Sequence, residues 1–399
     1  MKTVILPRQN VLEVFSRKSR KNFASRYQAV VTCQTYEFPL DIGMLPRSIS
    51  FKTSVALGLS ALNLPAKKFH QLVGRDKPAG QHHMRYTPED IRVARYRHAG
   101  LLPEVFHQTA PEPAKLRLIV TRMTKGGVGK TSVSVNVACS LAAMGYRVLV
   151  IDADPQATAS NLLGIDSASD SLTHIGKFLV RKTAAPDRDL GEAIVHVYEG
   201  GYLDLIPADI TLAETDASLV AAMASHERAH AFLSRNAAHL SAHYDVIVVD
   251  TAPGTTPIGL AFTYAAKVQG KVLTVVEPEG SCLRALDSLQ SNLAEIAAVT
   301  GARIGLEVVI NQYHPQLRHV RDSMGSLYAR FGTMLNEHII PSYAGFARQL
   351  NPQTREAVPL VESEPASSGA SAIIDLAKSL VLSFGITQPG LPATKEEVR

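Results

Sequence analysis

Two lysines and three glycines fall within seven residues, Lys125-Gly126-Gly127-Val128-Gly129-Lys130-Thr131. The apolar run Leu116–Val120 precedes them, and a helical pattern begins at Thr131. Strand, glycine turn and helix in that order make a phosphate cradle: glycines let several N–H groups point into one concavity, and the helix adds its positive end. Gly126, Gly127, Val128, Gly129, Lys130, Thr131 and Ser132 are therefore the candidate polyphosphate site. Lys130 reaches the β- and γ-phosphates as a point charge, and the Thr131 hydroxyl suits the accompanying Mg2+. The common form of this loop has a glycine where Thr124 stands, so the loop is a variant, and Lys125 marks which one.

Carboxylates close two further apolar runs. Residues 148–151 lead into Asp152-Ala153-Asp154-Pro155-Gln156, and residues 246–249 lead into Asp250-Thr251-Ala252-Pro253. In a parallel sheet both strand ends lie beside the phosphate loop. Asp152 and Asp250 then suit the Mg2+ shell, while Asp154 suits the orientation of an attacking water.

The elements that position these residues alternate. A helix from Thr131 to Met144 stops at Gly145, and further strands are expected at 203–206, 272–276 and 306–310, the last presenting Asn311. This predicts an α/β fold, a mostly parallel P-loop NTPase sheet covered by helices on both faces. It fills residues 116–385, with a flexible tail at 386–399.

The chain has 399 residues, 46% of them hydrophobic, enough for more than one core. No apolar run approaches the roughly 18 residues of a spanning helix, and neither a signal peptide nor a membrane anchor is expected. The three cysteines, Cys33, Cys139 and Cys282, lack the spacing of a zinc site or a disulfide framework, which points to a reducing cytoplasm.

Charge divides the chain unevenly. Residues 1–100 hold 17 Lys and Arg against 6 Asp and Glu, while the remainder holds 24 against 30. A basic module of that kind suggests nucleic acid. Residues 1–46 read as a basic arm with a short helix that could serve dimerisation. Residues 47–100 read as a mainly α, winged helix-turn-helix domain, with Gly58-Leu59-Ser60 as the turn and a second helix carrying Lys67 and Lys68. Arg75, Lys77 and Arg85 flank a wing, and Thr87-Pro88-Glu89-Asp90 starts a third helix. Residues 101–115, with three prolines, are a linker.

Lys125 to Thr131 resembles the deviant Walker A motif of the ParA/MinD ATPases. Asp152 to Gln156 resembles the D-x-D-P-Q of partition members, Val246 to Pro253 the family's Walker B, and Ile339-Ile340-Pro341 with 356–358 its C-terminal signature. The N-terminal module resembles that of the larger, type Ia plasmid-partition members. The resemblance implies a Mg2+-dependent ATPase using ATP and ADP, slow alone and stimulated by partner protein and DNA. It implies that Lys125 reaches across a homodimer to the partner subunit's nucleotide and that Asn311 contacts adenine. With Lys130 and Asp154, Lys125 completes the catalytic set. A ParB-like centromere-binding protein is the implied partner, with nonspecific DNA binding by the ATP dimer and operator binding by the N-terminal domain, in a cytoplasmic, nucleoid-associated protein. Two other readings are a MinD-like membrane-positioning ATPase and a nucleotide-sensing transcription regulator with no motor role. No membrane association is expected, because 370–384 lacks a basic amphipathic face.

Overall fold

The structure, a computed structural model, describes residues 45–75, 83–101, 116–166, 172–301, 303–350 and 358–388. The expected arm up to residue 44, most of the linker, Lys77 and the tail beyond 388 lie outside them. Seven strands form the main sheet: β3 (Arg117–Thr121), β4 (Val148–Ala153), β5 (Val195–His196), β6 (Leu203–Ile206), β7 (Val246–Thr251), β8 (Gly270–Val276) and β9 (Gly305–Ile310). Their order is β5-β6-β4-β7-β3-β8-β9. All pairings are parallel except that of the two-residue edge strand β5 with β6.

Both faces are covered. On one, the helix Lys130–Ala143 packs against the C-terminal helix Ser368–Ser383, with Val133, Val137, Ile373 and Leu380 in one apolar cluster. On the other, helices that include Pro257–Gln269 and Arg228–Arg235 enclose Ile247, Val249, Phe232 and Phe262. The central strands are buried along their whole length, which is why they read as unbroken apolar runs without alternation. Among the described residues, no helix is long and apolar enough to cross a membrane.

The N-terminal module consists of β1 (Phe51–Lys52), α1 (Thr53–Ser60), α2 (Ala66–Val73), β2 (Arg85–Tyr86) and α3 (Pro88–His98), with β1 and β2 antiparallel. The connection between α1 and α2 differs from expectation. Gly58 lies inside α1, and the chain turns instead at Ala61 and Asn63, whose φ values are 56° and 50°. Pro65 is the N-cap of α2. The start of α3 matches its sequence signals: Thr87 Oγ1 accepts from Asp90 N, and the Asp90 carboxylate accepts from Thr87 N, which makes a capping box.

Electrostatic contacts fasten this module to the body that carries the main sheet. Arg92 and Asp245, each with a side chain 1% exposed, form an ion pair at 3.2 Å, and Arg92 also donates to Gly145 O. Asp245 additionally accepts from Arg147 N and from the Arg147 guanidinium. Arg95 donates to Met144 O and to the Tyr146 hydroxyl, and Tyr202 bonds Glu89. Gly145, at φ +87°, ends the helix as expected, and it does more: a Cβ there would stand 2.8 Å from Arg92 Cβ and 3.1 Å from its backbone. Farther along, Arg47 pairs with Glu362, which also accepts from Tyr198.

Arg92 and Arg95 thus hold the module to the body. One boundary needs correction. The tail does not begin at 386, because Ile386 and Gln388 are buried and Gln388 donates to Gly145 O at 2.6 Å. Breaking a buried pair by removing one charge leaves the other uncompensated. Asp245→Asn should therefore lower the unfolding free energy by about 3 kcal/mol in urea titration. A loss below about 1 kcal/mol would mean that Arg92 is satisfied without it.

Candidate phosphate-binding site

The loop between β3 and the helix Lys130–Ala143 has the backbone that the glycines foretell. Gly127 and Gly129 sit at φ +79° and +82°, a region that side chains with a Cβ rarely adopt. Gly129 is also the N-cap, so no side chain covers the positive end of the helix.

Asp250, at the end of β7, organises the helix start. Its Oδ1 accepts from Lys130 Nζ at 3.1 Å and from Ser134 Oγ at 3.0 Å, and its Oδ2 accepts from Thr131 Oγ1 at 2.7 Å. Lys130 also donates to Thr251 O. Lys130 and Asp250 are 7% and 0% exposed, so their attraction is little screened by water. Ser134, absent from the sequence-based set, belongs to this cluster; one helical turn after Thr131, it was open to recognition by spacing.

Strand register sets Asp152 of β4 opposite Asp250 of β7. Asp152 is fully buried, and its Oδ2 accepts from Ser160 N and Oγ, both at 2.8 Å, while Oδ1 accepts from Asp154 N at 3.1 Å. Burial first, and then the Asp250 charge, push its pKa up to about 7 against those hydrogen bonds. Both oxygens of Asp152 thus fasten the turn that carries Asp154. Asp154 itself is 7% exposed and accepts from Gln156 N. Asp216, on the helix Leu212–Val220, adds a carboxyl that the sequence does not signal: burial raises its pKa against a hydrogen bond from Ile258 N, and the charge of Asp154 adds to the rise.

Asn311 follows β9 and packs against the loop. Its Nδ2 donates to Val128 O at 2.9 Å, while its buried Oδ1 has no hydrogen-bond partner among the described residues. A Cβ on Gly129 would collide with that same Nδ2. Lys125 turns the other way, within its own chain, to Glu279 Oε2 and Ser281 Oγ, both at 3.0 Å, with Glu277 at 3.7 Å. Partial burial opposes its charge, but the Glu279 hydrogen bond and the nearby Cys282, Glu279 and Glu277 outweigh that and raise its pKa.

The structure therefore gathers Gly126 to Ser132, Asp152, Asp154, Asp250 and Asn311 at one end of the sheet. The residues expected to bind DNA divide. Lys67 and Lys68 are exposed on α2. Arg75 pairs with Asp90 and donates to Arg85 O, and Arg85 bonds Ser50, so both arginines tie the module together.

A family model described as an AAA domain matches residues 116–305. An uncharacterised Pseudomonas putida protein is 30% identical over 259 residues, covering 64% of this chain and 91% of that protein. The sporulation initiation inhibitor protein Soj of Bacillus subtilis is 28% identical over 269 residues, 66% of this chain and 98% of Soj. The chain belongs to the ParA/MinD superfamily of P-loop ATPases. The same fold is found in a single-residue variant of Cyanothece McdA, whose ATP complex superposes with a TM-score of 0.56 at 17% identity, covering 69% of this chain and 99% of that one.

Gly129→Ala combines a left-handed backbone with the Asn311 collision. It should cost about 1–3 kcal/mol of stability and weaken binding of a fluorescent ATP analogue at least ~tenfold. Unchanged affinity in a titration would show that the loop tolerates the side chain.

Proposed function

We propose that this chain is a Mg2+-dependent ATPase that dimerises on ATP, binds DNA without sequence preference in that state, and segregates a low-copy plasmid with a ParB-like partner. Its N-terminal module acts as an operator-binding autorepressor. The observation that carries the nucleotide reading is the buried Asp250–Lys130–Thr131–Ser134 cluster at the uncapped start of a helix behind Gly127 and Gly129. Thr131 and Asp250 are the groups that would hold Mg2+, with Asp152 behind them, and the ion would neutralise phosphate charge.

This chain's own residues do the rest. Lys130 and the loop N–H groups hold phosphate, Asp154 orients a water, and the Asn311 Oδ1 acceptor suits the donor edge of adenine. Lys125 has to leave Glu279 to reach a nucleotide on a second subunit.

Two features favour partition over membrane positioning. The helix Ser368–Ser383 buries Ile373, Leu376, Ala377 and Leu380 against the body, so its apolar face is already taken. The three-helix N-terminal module exposes Lys67 and Lys68 on α2, as a helix entering a DNA groove requires.

The deciding test is binding of the full chain to its own upstream DNA and to a random fragment, with ADP and with ATP plus Mg2+. Selective binding in ADP and nonselective binding in ATP are expected; binding in neither would overturn the DNA reading. Lys125→Ala should abolish the ATP-dependent dimer in gel filtration while leaving nucleotide binding, and a persistent dimer would contradict the trans role. Replacing Lys67 and Lys68 together with alanine should weaken operator binding roughly tenfold and leave ATP turnover intact. Equal operator affinity in a mobility-shift assay would remove α2 from the DNA interface.

A further inference from the structure

Arg122 is a buried charge that the nucleotide site does not use. It sits at the end of β3, three residues before Lys125, with no solvent exposure. Among the described residues its guanidinium reaches only neutral groups, and at long range: Thr263 Oγ1 at 3.3 Å and Asn292 Oδ1 at 3.5 Å, while Nε has no partner there. No carboxylate among the described residues forms an ion pair with it. Burial alone, with no charge to offset it, pushes its pKa down to about 10. An isolated cation in such a place is costly, and the cost falls when an anion arrives.

Asn292, which Arg122 touches, also lines a cavity, with Arg122 itself behind that lining. Asn292 lines a groove of about 270 Å³ between the helices Pro257–Gln269 and Gly280–Thr300. Leu260, Tyr264, Ile296 and Val299 supply apolar walls, and Thr255, whose hydroxyl shares Asn292 Oδ1 at 3.4 Å, supplies a second polar group beside it. Both bonds to Asn292 Oδ1 lie near the limit of hydrogen bonding, so a stronger acceptor displaces them at little cost. The charged and titratable groups at the rim are His226, Glu295 and, over the Tyr264 ring, Lys267. Glu295 is exposed to water, which screens its repulsion of an incoming anion.

We propose that this groove binds a small carboxylate with an apolar body. The body lies between Leu260, Tyr264 and Ile296, and the carboxylate accepts from Thr255 Oγ1 and the Asn292 amide in front of Arg122. An apolar cleft with a few convergent polar groups is the general form of a small-ligand site, and a guanidinium is the side chain best suited to a carboxylate.

Hexanoate is a suitable probe, with hexanol and acetate as controls for the apolar body and the charge alone. Added to the nucleotide-free full chain, hexanoate at ten times its Kd should raise the melting temperature by about 2 °C, saturably. Hexanol and acetate should each give less than half that shift. Arg122→Met, which replaces the uncompensated charge with an apolar chain, should leave the ligand-free melting temperature unchanged or higher and abolish the hexanoate shift. Asn292→Leu, which keeps Arg122 and closes the polar floor, should abolish it too, and decides the matter if the methionine variant does not fold. An equal shift from hexanol, or a hexanoate shift that survives in either folded variant, would overturn the proposal.

Discussion

The contact on which the site depends is the carboxylate of Asp250 among the first residues of the helix that follows the glycine loop. It receives the Lys130 ammonium, the Thr131 hydroxyl and the Ser134 hydroxyl, and Asp250, Lys130 and Ser134 are all buried. Its effect is to fix the rotamers of Lys130, Thr131 and Ser134 at the start of the helix. β7 lies between β3 and β4, so the strand that carries Asp250 is hydrogen-bonded to both the strand that delivers the loop and the strand that delivers Asp152 and Asp154. The sheet order thereby converts three separate sequence motifs into one cluster. Its rigidity comes from the strands, whose side chains have nowhere to go.

Asp152 shows how tightly that cluster is made. Two carboxylates at matching register on adjacent strands repel each other, and the structure answers with hydrogen bonds from Ser160 and from the backbone of Asp154. The turn that carries Asp154 is therefore held by the more deeply buried acid before any ligand arrives. Positioning of this kind belongs to the protein and is in place ahead of chemistry.

Much of this was legible in the sequence. The main strands announced themselves as apolar runs because both faces of the sheet are covered, and the glycine loop because left-handed backbone needs glycine. Other features were not. Charge counts cannot tell an arginine that faces water from one, such as Arg92, that faces Asp245 more than a hundred residues away. Ala61 and Asn63 make a turn that the nearby Gly58 was better suited by composition to make. The strand β5 is two residues long and carries no period to detect. Ser160 and Asp216 reach the site only through tertiary packing, which a local pattern does not encode.

The joint at Gly145 bears on how such a chain can change over generations. Domains linked by a tether can be exchanged between proteins, since neither depends on the other's surface. Here α3 lies so close to Gly145 that a methyl group would not fit, and Arg92 has its counter-charge on a loop of the other half. Moved onto a foreign ATPase body, the N-terminal module would bring a stranded cation and a steric clash with it. The two halves are therefore constrained to be inherited together, and a substitution at Arg92, Gly145 or Asp245 is tolerable only with a matching change across the joint.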